Sequence, residues 1–197
     1  GIQLYWHHNS KPFDADVVAE QAAASLDYIV DLGANSVGIT FPIYVDGATP
    51  TKTYADPIET PSIEEMDLLL QAARERNLRI TLRPLIDEAN IAAEKNGAWR
   101  GTLHPENTKK WFDSYGDLLI DYVPLLKKYQ VDEYVLGVEM FSLQSEKSEW
   151  KSLRQRITDA GYQGDMSYAV NWDQSPAKVP FDTIGLDMYP AVDLPDS

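Results

Sequence analysis

The stretch YVLGVEMFSL, Tyr134–Leu143, is apolar except for one carboxylate, Glu139, near its far end. A charge placed among Val, Leu, Met and Phe is costly to bury unless something compensates it. The stretch nevertheless has the length and composition of a strand buried on both faces. Such strands belong to parallel sheets covered by helices.

The neighbouring segments repeat that pattern. Strand-like Ile2–Trp6 precedes the Ala-rich helical segment DADVVAEQAAASLDYIVDLG, which Gly33 can stop in a left-handed conformation. Strand-like Ser36–Val45 is followed by a polar loop to Thr60, then by a helix whose start carries Pro61 and the capping box Ser62/Glu65. Arg79–Asp87 is the third strand. After a second long loop, TKKWFDSYGDLLIDYVPLLKKYQ reads as one helix, with Trp111, Tyr115, Leu118, Leu119 and Tyr122 at helical spacing. The segment around Glu139 is the fourth strand. SEWKSLRQRITDAG is the next helix, and Asp165–Trp172 and Asp182–Pro190 are the fifth and sixth strands.

Alternating strands and helices predict either an open doubly wound sheet or a closed (β/α)8 TIM barrel. No G-x-G-x-x-G follows the first strand, which argues against the nucleotide-binding version of the open sheet. Polar and aromatic residues gather instead at the C-terminal end of each strand: Trp6–His7–His8, Tyr44–Asp46, Arg83–Asp87, Glu139, Asn171–Trp172–Asp173 and Asp187–Tyr189. A TIM barrel builds its active site at that rim. Eight strands and roughly 250 residues make a whole barrel, so the expected fold is a single α/β domain over residues 1–197 comprising the first six strand–helix units. The last two units, the C-terminal remainder of the same barrel, are expected outside this segment.

Composition narrows the partners. Thirty-one acidic residues against 17 basic ones give a formal charge of -14, which argues against nucleic acid or an anionic membrane. No apolar run approaches the ~18 residues of a membrane helix. Zero cysteines exclude disulfides and thiolate metal sites. His7 and His8 are adjacent on a strand and point to opposite faces, a poor chelating pair, so no metal and no cofactor are expected. The residues begin directly in strand-like GIQLYW, so a leader would lie outside them.

The rim residues suggest chemistry. A glutamate in a partly apolar pocket has its pKa raised by desolvation and can serve as general acid; the alternative is a structural salt bridge to an arginine such as Arg83. Asn171, Trp172 and Asp173 can hydrogen-bond sugar hydroxyls and stack on a pyranose face, or else cap a turn and fill the core. Arg83 can hold either the glutamate or a substrate hydroxyl. Trp99, in AWRG, lines a sugar subsite or packs under its loop, and Trp6 closes the first strand at the same rim.

The run WRGTLHPENTKKWFDSYGDLLIDYVPLLKKYQVDEYVLGVEM, followed by MSYAVNWD and FDTIGLDMYP, resembles glycoside hydrolase family 113, a β-mannanase-like group of retaining (β/α)8 glycosidases. The resemblance implies that Glu139 is the catalytic acid/base. It also implies that Asn171, Trp172 and Tyr189 surround the sugar-binding cleft, and that the substrate is a β-linked polysaccharide or oligosaccharide of the mannan type. It further implies a nucleophilic glutamate on a seventh strand, beyond residue 197. Val138 stands where many relatives carry a polar residue. A polysaccharide substrate would place the protein outside the cell or on its surface.

Two other readings compete. One is a non-catalytic carbohydrate-binding barrel of a cell-surface or phage-tail protein. The other is an inverting hydrolase pairing Glu139 with Asp173 or Asp187, for which the carboxyl separation would be roughly 6.5–9.5 Å.

Overall fold

The computed structural model describes residues 1–7, 12–174 and 179–188. Its strands are β1 (Ile2–Tyr5), β2 (Ser36–Val45), β3 (Thr53–Tyr54), β4 (Arg79–Ile86), β5 (Glu133–Val138), β6 (Asp165–Asn171) and β7 (Thr183–Asp187). Six of them run in the order β1-β2-β4-β5-β6-β7, every neighbouring pair parallel. The helices are α1 (Ala15–Asp31), α2 (Ile63–Glu75), α3 (Ala89–Glu94), α4 (Thr108–Asp121), α5 (Val123–Lys128) and α6 (Lys147–Asp159). Together they form a curled half-barrel, the incomplete (β/α)8 arrangement expected. Among the described residues no helix is long and apolar enough to cross a membrane.

Local sequence explains the elements. Asp14 caps α1 by accepting the Asp16 and Val17 N–H groups, and Ser62 and Glu65 form the reciprocal capping box of α2. Gly33 and Gly161, at φ 78° and 105°, close α1 and α6 in the left-handed region that glycine adopts without steric cost.

Strand alternation separates the two faces of the sheet. In β4, Ile80, Leu82 and Ile86 are buried toward the helices, whereas Thr81, Arg83 and Leu85 turn to the concave side and are half-buried. The outer face holds the large core, with Leu26, Ile39, Phe41, Leu70, Trp111, Tyr134 and Trp150 among its buried side chains. Inner-face neighbours interact across strands: Thr40 Oγ1 donates to Gln3 Oε1 at 3.2 Å and Thr81 Oγ1 to Glu133 Oε2 at 3.1 Å. Val135, Val138 and Ala169, with Leu85 against them, form a small separate apolar cluster.

Three expectations need correction. The segment after residue 107 is two helices, not one: Tyr122 ends α4 and begins α5. Pro124 has no N–H for an interior helical bond and sits in the first turn of the second helix, so the chain must restart there. The loop to Thr60 contains β3, paired antiparallel to the end of β2 through Tyr44/Tyr54 and Val45/Thr53. The loop after β4 contains α3. Within β5, alternation is interrupted: between Val135 and Gly137 its register against β6 shifts by a bulge, so Val138 rather than Gly137 shares the inner face with Ala169.

Candidate active site

Glu139 follows β5 directly, and its N–H still bonds to the Ala169 carbonyl at 2.8 Å. Its φ is 55°, a left-handed conformation that non-glycine residues rarely adopt. The residue is 7% exposed. Backbone strain of this kind persists only where the surroundings enforce it, and it concentrates at functional sites.

The compensation for the buried charge is Arg100, whose Nη1 lies 2.7 Å from Glu139 Oε2. The same nitrogen is 3.2 Å from Glu88 Oε1, and Arg100 Nε donates to the Ile86 carbonyl at 2.9 Å. Arg100 is placed by a short 3-10 turn, Arg100–Thr102. Thr102 Oγ1 closes that turn, accepting the Trp99 N–H at 3.0 Å and donating to the Trp99 carbonyl at 2.9 Å. Ser142 Oγ donates to Leu103 O at 2.7 Å, fastening this loop to the turn that follows Glu139.

The predicted link from Arg83 to Glu139 is therefore not made. Arg83 bonds Asp187 across the concave face, both side chains being largely withdrawn from solvent. The reason is the side on which each stands: Arg83 and Asp187 both occupy inward positions of their strands, whereas Glu139 has left its strand after the bulge and meets the loop arginine.

The other predicted residues fall in different settings. Trp6 is 4% exposed and joins the outer apolar core, with its backbone N–H donated to the Thr40 carbonyl at 2.7 Å. Trp99 is half-buried, its ring lying over Gly101, where a Cβ would fall 2.4 Å from Trp99 Cζ2. Asn171 is half-buried on the inner face opposite Asp187. Trp172 and Asp173 are exposed on a 3-10 turn that caps β6, with Trp172 54% exposed. Tyr189 and His8 lie outside the described residues.

Two groups that the sequence did not single out, Arg100 and Tyr5, join the rim beside Tyr44, which it did. Burial, then the charge of Asp87, pushes both tyrosine hydroxyls above their ordinary value, and the Arg100 charge opposes the shift at Tyr5. Two signals pointed to them. Arg100 adjoins Trp99 in AWRG, and Tyr5 alternates with the apolar Leu4 and Trp6 in IQLYW, as an inward residue should.

Loop anchors hold the rim in shape. Asp46 accepts the Thr51 N–H at 2.8 Å and its hydroxyl at 2.6 Å, and Glu94 accepts the Ala48 N–H at 2.5 Å. Asn90 donates to Val45 O and Tyr54 Oη, both at 3.0 Å, tying α3 to the end of β2. Among the described residues, no His, Cys, Asp or Glu side chains group in threes as a metal ion would require.

The arrangement is a strained, buried carboxylate at the C-terminal end of the fourth parallel strand, beside polar and aromatic groups from at least three other strand ends. Comparison with known proteins agrees with that layout. The model of Glycoside Hydrolase Family 113 matches residues 6–191. No curated protein matches the chain. Among solved structures, one described as a GH113 beta-1,4-mannanase is 21% identical at a TM-score of 0.74, covering 85% of this chain and 56% of its own. A complex structure of a GH113 beta-1,4-mannanase is 18% identical at TM-score 0.76, covering 94% of this chain and 60% of its own. The GH113 beta-mannanase AaManA from Alicyclobacillus acidocaldarius, in complex with ManMIm, is 20% identical at TM-score 0.73, covering 94% and 58%. The chain thus spans less than two thirds of the length of these structures, whose likeness establishes the shared fold. By the family match over nearly all its residues, the chain belongs to glycoside hydrolase family 113.

Proposed function

We propose that this chain carries the acid/base half of a retaining glycoside hydrolase acting on a β-linked, mannan-type polysaccharide or oligosaccharide. The observation that carries the proposal is Glu139: a nearly buried carboxylate in a left-handed backbone conformation at the rim where barrels do chemistry. Family membership supports the reaction class, and the mannanase neighbours support the sugar.

In this reading Glu139 donates its proton to the glycosidic oxygen as a second carboxylate attacks the anomeric carbon. It then takes a proton from the water that releases the glycosyl-enzyme. The second carboxylate would stand about 5–5.5 Å from Glu139, as retention requires, on a strand outside residues 1–197. Asn171 and Trp172 would line the sugar cleft, with Trp99, Asp173 and Tyr189 as further contacts. Asp187 is the less suitable partner for an inverting mechanism, because Arg83 already engages its carboxylate.

The test uses the full-length protein. Glu139→Gln should cut turnover of β-mannan oligosaccharides by about a hundredfold or more. The variant should still form the glycosyl-enzyme rapidly from an aryl mannoside whose leaving group needs no protonation. Proton NMR of the first-formed product should show the β anomer. Undiminished turnover by Glu139→Gln would exclude Glu139 as the acid, and an initial α product would exclude retention.

A further inference from the structure

Arg100 stands between two unequal carboxylates. Its Nη1 reaches Glu139 at 2.7 Å and Glu88 at 3.2 Å, and its side chain is 16% exposed. Glu139's side chain is 10% exposed and Glu88's is 36%. Glu88 also accepts the Arg100 backbone N–H at 3.4 Å, and the bond from Nε to the Ile86 carbonyl holds the guanidinium in place.

We propose that Arg100 is a positioning residue for Glu139 and that Glu88 is its standing counter-ion, so that Glu139 can gain and lose a proton without stranding a buried cation. The inference rests on the reading of Glu139 as acid/base. A lone arginine partner would work against a general acid, because protonating the glutamate would leave a desolvated guanidinium unpaired. A general acid must keep its proton near the working pH.

Glu88 removes the conflict. It is the more exposed of the two carboxylates, and it keeps Arg100 paired while Glu139 is neutral. With Glu139 protonated the three groups sum to zero charge, and with Glu139 ionised they sum to minus one. When Glu139 passes its proton to the departing glycosidic oxygen, the carboxylate it becomes finds Arg100 already aimed at it. When it later accepts a proton from the attacking water, Arg100 falls back on Glu88. Tyr5 feels the charges of Asp87, Arg100 and Glu59, and Tyr168 of β6 feels that of Glu139.

The test is a titration of the full-length protein labelled with carbon-13 at glutamate carboxyls, the Glu139 signal being assigned by its loss in Glu139→Gln. Glu88→Gln, which keeps the shape and removes the charge, should lower the Glu139 midpoint by about one pH unit or more. Arg100→Gln should raise it by a similar amount. Midpoints that stay within about 0.3 unit of the parent would overturn the inference, because a purely structural arginine clamp would not need Glu88 for its proton balance. If Arg100→Gln does not fold, Glu88→Gln alone decides. The titration is read without turnover: a shifted midpoint upholds the shared arginine even where Glu139→Gln leaves hydrolysis intact, which would count against the acid/base assignment instead.

Discussion

Arg83 on β4 is hydrogen-bonded to Asp187 on β7, although β5 and β6 lie between them in the sheet. Strands in a sheet are about 4.8 Å apart, so in a flat sheet those two backbones would stand about 14 Å from each other. Curling of the sheet brings the side chains together over its concave face. The pair is both a consequence of the half-barrel and a brace for it.

Removing one partner should therefore be expensive. Arg83→Met leaves the Asp187 charge largely buried and should cost about 3–5 kcal/mol, whereas Arg83→Met with Asp187→Leu should recover much of that loss. Urea denaturation of the single and double variants measures both. A double variant as unstable as the single would show that the loss lies in packing and not in the orphaned charge.

The bulge in β5 brings Gly137 against two buried rings. A Cβ there would fall 2.6 Å from Tyr168 Cε2 and 2.7 Å from Trp150 Cη2. Gly137→Ala should destabilise the protein by about 1–3 kcal/mol through overpacking. A neutral result in equilibrium unfolding would mean that the rings move aside freely.

Alkaline pH should act through the buried tyrosines. Burial pushes the hydroxyls of Tyr115, Tyr134 and Tyr168 well above their ordinary value. Tyr115 and Tyr134 donate to the Leu136 and Leu119 carbonyls at 2.9 and 3.1 Å. Because the folded-state values are raised, the associated stability is intact below the unfolded value of about 10 and falls as pH climbs above it. The part of the 295 nm absorbance contributed by these buried rings should rise in one cooperative step together with loss of the near-ultraviolet circular dichroism. Gradual ionisation of these rings in a protein with intact dichroism would contradict this.

Trp172 separates binding from stability. It is more than half exposed, so Trp172→Ala should change unfolding free energy by no more than about 0.5 kcal/mol. Loss of its stacking surface should raise KM for a mannan oligosaccharide about tenfold, with little effect on the thermal midpoint. An unchanged KM would remove Trp172 from the cleft.

Much of this architecture was legible in the chain itself. Six apolar strands, the Ser62/Glu65 capping box and the glycine stops at Gly33 and Gly161 follow local rules that tertiary contacts leave intact. The position of Glu139 at a strand end was equally plain. What escaped notice depended on distance. The arginine that meets Glu139 lies 39 residues away in a loop, and nothing local ranks it above Arg83. The inward face of β5 could not be read from one strand, because a bulge is a relation between two strands and leaves no mark on one. The restart at Tyr122 was readable from Pro124, but the regular aromatic spacing on both sides outweighed it.

The strand order has one more consequence. Among the described residues, each parallel strand pairs only with the parallel strands that precede and follow it along the chain. Within this arc, no backbone pairing has to wait for a segment made much later. During synthesis, each new strand emerging from the ribosome would meet a sheet edge already formed by its predecessor, so the arc can grow from its N-terminal end in step with translation.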